Sequence, residues 1–314
     1  MKVKKKIIFI SLVLIFGILP FFAKKNIFLF SNDVLGEDYL NKRINVLILG
    51  HRGEKAIAGG ILTDSIMVFS LLPQQKKGAL ISIPRDLYVE IPESGWWKIN
   101  HAYVYGKKRG SGLDLPKKVV SEITGLEIHY AVAFDIEAVK EIVDILGGID
   151  IYEEEPFYGE FYGHKVSLKK GWNHLNGSET LAYIGVRNFK EGDFKRIEHQ
   201  QKAAIAIKEK IEKEGLLKRP DKILKIYLSL HSHIDTDLPL SQIKNLLETF
   251  RNIKIEDIKT FEFSTSNYLR ATHTRDGAYI LIPQKGWRNY EDLHFVCQNI
   301  FNENILSIED ETQP

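Results

Sequence analysis

The chain is poor in cysteine and nearly balanced in charge, and each shortage excludes a class of protein. Its 314 residues include one cysteine, so no disulfide can form within the chain. Cys297 stands in the apolar triplet Phe-Val-Cys, which predicts a core residue and neither supports nor opposes export. A formal net charge of +2, without interleaved aromatic and basic residues, does not suit a nucleic-acid surface. We therefore expect no nucleic-acid partner.

The chain also lacks a linker that would divide it into domains, and it lacks the residue sets of a nucleophilic hydrolase. No linker rich in Pro, Gly or Ser interrupts residues 42–304, and no internal repeat is present. No Ser-His-Asp or Cys-His set is evident. With 44% hydrophobic and 27% charged residues, the composition is that of a folded globular protein. We predict one domain over 42–304, followed by a flexible acidic tail over 305–314.

One long uncharged run stands near the N-terminus. Residues 7–23 are seventeen residues without a charge, which reaches the lower limit for spanning a bilayer. Four lysines precede this run and two follow it, which favours residues 1–6 in the cytoplasm and the body of the chain outside. A cleaved signal peptide is the alternative, but bulky Phe21 two positions before Ala23 makes a poor cleavage site. We predict a single-pass protein of the cell membrane, with a transmembrane signal anchor at 7–23, a spacer at 24–41 and an extracytoplasmic C-terminal domain.

The rest of the chain alternates short apolar runs with amphipathic segments. The clearest helix covers 135–146, with Asp135 as its cap, and a strand over 149–152 follows the stop at Gly147 and Gly148. A strand, a helix and a strand in succession indicate an α/β domain whose helices cover a parallel or mixed sheet. Further strands are expected at 44–49, 65–72, 79–83 and 129–134. Further helices are expected at 100–108, 115–123 and 178–186, and the aromatic stretch 157–162 is expected to form a loop.

Charged side chains stand at the ends of several predicted strands. Arg52 follows the first strand, Asp64 precedes the second, and Arg85 and Asp86 follow the third. Strand ends in α/β sheets converge on one edge, so these residues can meet. The set is completed by Lys98, Arg187, Arg196 and Gln200. Several cations with few carboxylates suit a polyanion such as a pyrophosphate, with Asp64 available to a divalent metal. Scattered surface salt bridges are the alternative for any single member.

The stretch 192–201 opens a predicted helix with polar groups on its buried face. Asp193 is expected to cap this helix, which runs to about residue 214 and stops at Gly215. Arg196 and Gln200 lie one turn apart on the stripe that continues through apolar residues. A phosphate at the helix N-terminus would satisfy their donors, and pairing of Arg196 with an acidic neighbour is the alternative.

A series of short motifs runs in a fixed order through the chain. They are Leu-Ile-Leu-Gly, Leu-Thr-Asp-Ser-Ile-Met-Val, Ser-Ile-Pro-Arg-Asp-Leu-Tyr-Val, Lys-Ile-Asn-His-Ala-Tyr, Val-Asp-Ile-Leu-Gly-Gly-Ile-Asp-Ile, Leu-Asn-Gly-Ser-Glu-Thr-Leu-Ala-Tyr and Asp-Phe-Lys-Arg. In this order they resemble the LytR-CpsA-Psr family of cell-envelope phosphotransferases. The resemblance is close over 44–215 and looser beyond. Each motif is weak alone, but the ordered series is specific.

The resemblance implies a three-layer α/β/α sandwich with a central mixed sheet, preceded by one transmembrane helix. It implies a phosphotransferase that moves a glycan phosphate from a polyprenyl-pyrophosphate lipid carrier to a cell-wall acceptor such as peptidoglycan, usually with Mg²⁺. By this resemblance, Asp64 stands at the position of a metal ligand of the family. Asp64 and Arg85 stand at the positions of catalytic residues. The residues similar to pyrophosphate ligands are Arg85, Arg187, Arg196 and Gln200, with Lys98 and Arg52 beside them. The general base stays open, with Asp86 as one possibility.

The chain departs from the family's pattern at four places. It has His51-Arg52 where an aspartate is usual, and Leu62, Gly185 and His199 where arginines are usual. These changes weaken both the metal site and the anion cradle. We hypothesise that Arg52 and His199 partly compensate by placing positive charge there. Two alternatives therefore stay open, a polyprenyl-pyrophosphate hydrolase and a catalytically inactive lipid-pyrophosphate binding protein.

Two further groups of residues carry weaker predictions. Trp96 and Trp97, with Tyr103 and Tyr105 nearby, suit a lipid or sugar site, but we predict core packing for them because aromatic side chains dominate cores. His231 and His233 alternate in a polar turn and are predicted to be surface residues.

Overall fold

The structure, a computed structural model, describes residues 42–53, 60–186, 233–239 and 257–302, with twelve single positions between 199 and 253. The chain divides into two compact units. The sheet unit holds the described residues of Val34–Phe134, Asp235–Leu238 and Thr249–Pro314, and the hairpin unit those of Met1–Asp33, Asp135–Ile234 and Pro239–Glu248. Within the described residues, no helix has the length and apolar character needed to cross a membrane. The predicted segments 1–6, 7–23, 24–41 and 305–314 lie outside them, so the anchor, like the single domain over 42–304, stays a prediction.

The secondary structure alternates strands and helices along the described chain. The strands are β1 (Ile44–His51), β2 (Thr63–Leu72), β3 (Lys77–Ser82), β4 (Tyr88–Ile91), β5 (Gly95–Lys98), β6 (Tyr130–Asp135), β7 (Ile149–Glu153), β8 (Phe157–Phe161), β9 (His164–Leu168), β10 (Gly171–Leu175), β11 (Ile234–Thr236), β12 (Ile258–Glu262), β13 (Leu269–His273) and β14 (Tyr279–Pro283). The α-helices are α1 (Ala102–Arg109), α2 (Asp114–Thr124), α3 (Ile136–Ile145), α4 (Gly177–Gly185) and α5 (Glu291–Gln298).

The main sheet has the strand order β11-β6-β1-β2-β3-β12. β1 pairs antiparallel with β2, and β2 pairs antiparallel with β3, whereas β3 and β12 are parallel. All eight residues of β1 are buried, including polar Asn45 and His51, which is typical of a strand covered on both faces. The prediction of an α/β fold with a mixed central sheet is therefore confirmed, while the order of three layers stays a prediction.

Helices of the sheet unit pack against this sheet and form one core. Val119 of α2 and Leu293 of α5 join Leu47 and Ile81 in the same buried cluster. The helices predicted at 100–108 and 115–123 are confirmed, although the first opens as a 3₁₀ turn over Ile99–His101. Cys297 is fully buried as predicted, and burial raises the pKa of its thiol to about 12.

The hairpin unit has its own core beneath α3 and α4. Asp135 caps α3 as predicted, since its Oδ1 accepts from the backbone N–H of Ala138 at 3.0 Å. The loop predicted at 157–162 is wrong, because this stretch forms the antiparallel hairpin of β8 and β9. Tyr162 takes a left-handed φ of 49° at the turn, and the aromatic residues before it alternate between the two faces of the strand.

Candidate functional site

A cavity of about 310 Å³ lies where strand ends of the sheet unit meet. Arg52 directly follows β1, Asp64 lies at the start of β2, and Arg85 lies between β3 and β4. Lys98 ends β5, and the 3₁₀ turn follows it. The residues that line the cavity are Arg52, Leu62, Asp64, Arg85, Asp86, Lys98, Asn100 and His101. Residues that stand far apart in the sequence thus surround one space at one edge of the sheet.

The position of Asp64 depends on an irregularity in the pairing of β1 with β2. Gly50 pairs with Ser65 and His51 pairs with Thr63, so Asp64 is the extra residue of a β-bulge. A bulge redirects the side chain of the residue that it leaves unpaired in the ladder. Gly50 allows the close approach, because a Cβ atom there would lie 3.2 Å from that of Ser65. Regular alternation along β2 would not have predicted this placement.

The charged side chains of the cavity form one continuous network. Arg52 Nε donates to Asp64 Oδ2 at 2.8 Å, and Arg85 Nη1 donates to Asp64 Oδ1. Arg85 Nε lies 3.6 Å from Asp86 Oδ2, and Lys98 Nζ donates to Asp86 Oδ1 at 2.6 Å. Three cations against two carboxylates leave one net positive charge among these five residues. The cavity is therefore suited to an anion that several cations share.

Arg85 is the centre of this network because it contacts both carboxylates. Burial lowers the pKa of Arg85, but its hydrogen bond to Asp64 and the charges of Asp64 and Asp86 outweigh burial, so the pKa is raised. The guanidinium stays charged over the whole physiological range. Two carboxylates hold it in place before any ligand arrives, which lowers the entropic cost of binding.

Asn100 and His101 add two neutral groups to the cavity wall. Asn100 is 8% exposed, and its Oδ1 atom is buried with no hydrogen-bond partner among the residues that the structure describes. The His101 ring lies with Nδ1 3.3 Å from the carbonyl oxygen of Lys98, and burial lowers the pKa of His101. Both residues lie in the motif Lys-Ile-Asn-His-Ala-Tyr, which is the only sequence signal for them, and the sequence alone assigned them no role.

The carboxylate oxygens of Asp64, paired as they are in this structure, do not form a magnesium site. Mg²⁺ needs carboxylate oxygens that it can approach, yet each oxygen of Asp64 already accepts from an arginine. Over the described part of the chain, no group of three or more His, Cys, Asp or Glu residues could hold a metal. The positive charge beside Asp64 comes from Arg52 instead. The metal role of Asp64 therefore stays a prediction.

The structure brings together four of the seven predicted site residues. Arg52, Asp64, Arg85 and Lys98 line the one cavity. The other three lie outside the described residues, so their roles stay predictions: Arg187, Arg196 and Gln200.

Two of the departures noted in the sequence have a physical reason in the hairpin unit. A Cβ atom at Gly185 would lie 2.3 Å from the ring of Phe161, so this position holds no arginine without a rearrangement. His199 is fully buried and stacks on Tyr183, with ring centroids 4.1 Å apart. Its Nε2 lies 4.0 Å from the buried carboxylate of Glu153. His199 therefore does not offer its ring to a ligand in this structure, which is contrary to the hypothesis that it compensates for an arginine.

Comparisons with known proteins give matches over most of the chain. The family model described as LytR_cpsA_psr matches residues 26–288. The regulatory protein MsrR of Staphylococcus aureus is 32% identical over 244 residues, which are 76% of this chain and 70% of MsrR. A protein of Oceanobacillus iheyensis, named polyisoprenyl-teichoic acid–peptidoglycan teichoic acid transferase TagU, is 29% identical over 221 residues, 70% of this chain and 66% of TagU.

Solved structures show the same fold. The crystal structure of TagV from B. subtilis superposes with a TM-score of 0.60 and 25% identity, over 83% of this chain and 98% of TagV. A structure described as TagT bound to LI-WTA gives a TM-score of 0.56 at 22% identity, over 86% of this chain and 94% of that one.

Proposed function

This chain belongs to the LytR-CpsA-Psr family, and we propose that it transfers a cell-wall glycopolymer, as a glycan phosphate, from a polyprenyl-pyrophosphate carrier to an acceptor such as peptidoglycan. A relative named as a teichoic acid transferase supports transfer of a wall polymer at the level of the family. The observation that carries the finer proposal is the shared position of Arg85 between Asp64 and Asp86, in a cavity with a net positive charge. A diphosphate is the anionic part of such a carrier.

The cations of the cavity perform the binding step of this reaction. A diphosphate provides several anionic oxygens, and Arg52, Arg85 and Lys98 can each exchange part of a carboxylate contact for one of them. Arg85 offers a planar fork of donors, which suits two oxygens of one phosphate. The guanidinium groups also stabilise the charge that develops on the equatorial and leaving oxygens, which is where most catalysis of phosphoryl transfer arises.

The bond changes balance without a further reactant. An acceptor hydroxyl attacks the phosphorus nearest the glycan, a new P–O bond forms, and the bond from this phosphorus to the bridging oxygen breaks. Polyprenyl phosphate leaves with the electron pair, and the hydroxyl proton passes to solvent or to the leaving phosphate. Magnesium, which the family resemblance implies, has no step in this proposal. Asp86 is held by Lys98 and Arg85, and we assign it no role as a base.

The test uses the full chain, purified in detergent, with a polyprenyl-diphosphate disaccharide labelled on the phosphate nearest the sugar. We expect label to reach an added peptidoglycan acceptor and polyprenyl monophosphate to appear with it. Cleavage without an acceptor would favour the hydrolase, and retention of intact lipid without turnover would favour the inactive binding protein. Either result would overturn the transferase.

Two arginine variants test the site. Arg85→Ala should abolish both binding and transfer, because it removes the guanidinium proposed to hold the diphosphate and leaves two cations against two carboxylates, with no net positive charge. Arg275→Ala, a substitution of an exposed arginine in the turn before β14, is the matched control and should act as wild type. Equal activity of the two variants would discard the cavity as the site.

A further inference from the structure

An aromatic surface continues from the cavity wall. It consists of Trp97, His101 and Tyr105, which we call the aromatic ledge. The ring centroids of Trp97 and His101 are 5.2 Å apart, and those of Trp97 and Tyr105 are 5.8 Å apart. His101 and Tyr105 stack with centroids 6.3 Å apart, because residues four apart lie on one face of a helix. His101 also lines the cavity, so the ledge and the cavity share a residue.

The two neighbouring tryptophans have different environments, although the sequence treats them alike. They stand on opposite faces of β5, as consecutive residues of a strand do. Trp96 is half-buried and packs against Tyr88 and Trp287, whereas Trp97 is 41% exposed. Core packing therefore explains Trp96, whereas part of the Trp97 ring stays exposed. Exposure of one aromatic ring is ordinary, but Trp97, His101 and Tyr105 form one group that reaches the cavity, and a grouped surface of this kind indicates a contact surface.

The ledge is held in place from both ends before any ligand binds. Trp97 Nε1 donates to the carbonyl oxygen of Ser94 at 2.9 Å, which fixes the indole at one end. The Arg109 guanidinium lies over the Tyr105 ring, 5.8 Å from its centroid. Arg109 itself donates to two backbone carbonyl oxygens, those of Pro92 and Glu93, at 2.7 Å each. Rings that are fixed in this way lose little conformational entropy when a ligand packs on them.

The chemistry of the ledge suits a sugar better than an acyl chain. An aromatic face packs against the C–H face of a pyranose ring, and the polar groups at its edge meet the hydroxyls. His101 supplies such a group, since its Nδ1–H donates to the carbonyl oxygen of Lys98 and leaves Nε2 as an acceptor in the neutral ring. The lowered pKa of His101, caused chiefly by burial, agrees with a neutral ring. A lipid chain would need a continuous apolar wall, and here an imidazole and a guanidinium interrupt the ring faces.

We propose that the aromatic ledge of Trp97, His101 and Tyr105 is a carbohydrate subsite that holds the first sugar of the diphosphate-linked glycan. This inference rests on the proposed function, because it takes the cavity as the diphosphate site. Trp97 and Lys98 stand on opposite faces of β5, so the link between ledge and cavity is His101, which lines the cavity and contacts Trp97. A sugar bonded to a phosphate in the cavity would meet the ledge at the His101 ring. The ledge thus selects among lipid-linked glycans by their first sugar, while the cavity binds the diphosphate that all these substrates share.

The experiment compares two probes on the full chain in detergent. One probe is farnesyl diphosphate, and the other is a disaccharide linked through a diphosphate to the same farnesyl chain. We expect wild type to bind the glycosylated probe more tightly. Trp97→Ala should lose roughly tenfold of its affinity for the glycosylated probe and less than about twofold for farnesyl diphosphate. Trp97→Phe should recover most of the loss, because it keeps an aromatic face.

Trp287→Ala is the matched control, since Trp287 is 52% exposed and belongs to the cluster of Trp96 on the other face of β5. It should bind both probes as wild type does. Equal loss of both probes in Trp97→Ala would show a lipid contact or a structural role, and no loss would show that the ledge is unused; each result overturns the subsite. If wild type bound farnesyl diphosphate and the glycosylated probe equally well, the sugar subsite would be overturned and the proposed function would stand. Binding of neither probe would overturn the proposed function as well.

Discussion

Arg52 stands where the family's pattern has an aspartate, and its Nε donates to Asp64 Oδ2 at 2.8 Å. Its guanidinium supplies one positive charge there, so the cavity carries net positive charge without a metal. We predict that wild type retains farnesyl diphosphate equally well in EDTA and in Mg²⁺. Arg52→Asp reverses the local charge and places a second carboxylate beside Asp64. This variant should lose roughly tenfold or more of its affinity in EDTA and regain it in Mg²⁺.

The control for this prediction is Arg52→Ala, which removes the cation without adding a metal ligand. Its affinity should fall in EDTA and should not respond to Mg²⁺. Titration calorimetry of Mg²⁺ alone gives a second readout, since only Arg52→Asp should gain a binding isotherm. Loss of farnesyl diphosphate from wild type on chelation would show instead that the protein depends on a metal and that Arg52 does not replace it.

At the scale of single residues, the sequence predicted which charged side chains gather but not how they pair. Arg52, Asp64, Arg85 and Lys98 could be selected because they stand at the ends of apolar runs. The bulge that turns Asp64 into the cavity depends on the register of two strands, which no local pattern encodes. Asn100 carries no charge and so gave no electrostatic signal.

At the scale of elements, the start of α4 offers a measurable test of local stability. Asn176 Oδ1 accepts from the backbone N–H of Glu179 at 2.9 Å, and the Glu179 carboxylate accepts from the N–H of Asn176 at 2.9 Å. This reciprocal pair is a capping box, which satisfies two donors that the helix itself cannot. Asn176→Ala should lower the free energy of unfolding by about 1 kcal/mol in urea denaturation. Glu179→Gln keeps an acceptor at the same position and should cost less, so an equal loss in both variants would contradict the capping box.

Caps of this kind explain why the helices could be predicted and the small hairpins could not. A helix is marked by a cap, an apolar stripe and a glycine stop, and α3 shows the whole sequence of signals between Asp135 and Gly147. β8 has Gly159 at its centre, and β5 begins at Gly95 and continues with two adjacent tryptophans, so neither strand shows a regular apolar and polar alternation in the sequence. Their side chains are stabilised by contacts within the unit, such as that of Trp96 with Trp287, and not by local propensity.

At the scale of the whole molecule, one histidine contributes a pH dependence to stability. His233 Nδ1 lies 2.8 Å from Asp135 Oδ2, and its Nε2 lies 3.1 Å from Glu141 Oε1. Both partners are carboxylates, so the doubly protonated ring can donate to each of them, and the two contacts favour its charged form. Burial lowers the pKa of His233, but the hydrogen bonds and charges of Asp135 and Glu141 outweigh it and raise the pKa above 6.5. His233 is thus partly buried and paired, whereas the sequence predicted an ordinary surface residue.

A raised pKa in the folded state means that the folded state binds the proton more tightly than the unfolded state does. The contribution of His233 is therefore complete below pH 6.5 and is lost as the pH rises through the folded pKa. We expect urea unfolding at stepped pH to show a decrease in stability on this alkaline side, and His233→Gln to reduce the slope. His101 acts with the opposite sign, because burial lowers its pKa, so His101→Gln should leave the alkaline slope intact. A slope unchanged in His233→Gln would refute the assignment.

The number of lysines on each side of residues 7–23 predicts the orientation of the chain in the membrane. Four lysines before residues 7–23 and two after them favour the cytoplasmic side for the N-terminus. Protease added to spheroplasts should then digest the body of the chain, and N-terminal sequencing should find the lysines still attached. Replacing Lys2, Lys4, Lys5 and Lys6 with serine leaves no lysine before the apolar segment and two lysines after it. This variant should insert in both orientations, so a fraction of its chains should be protected from the protease. Replacing Lys24 and Lys25 instead should leave the digestion unchanged. A mature chain that begins after Ala23 would show that the segment is a cleaved signal peptide, and the balance of lysines would then bear only on export.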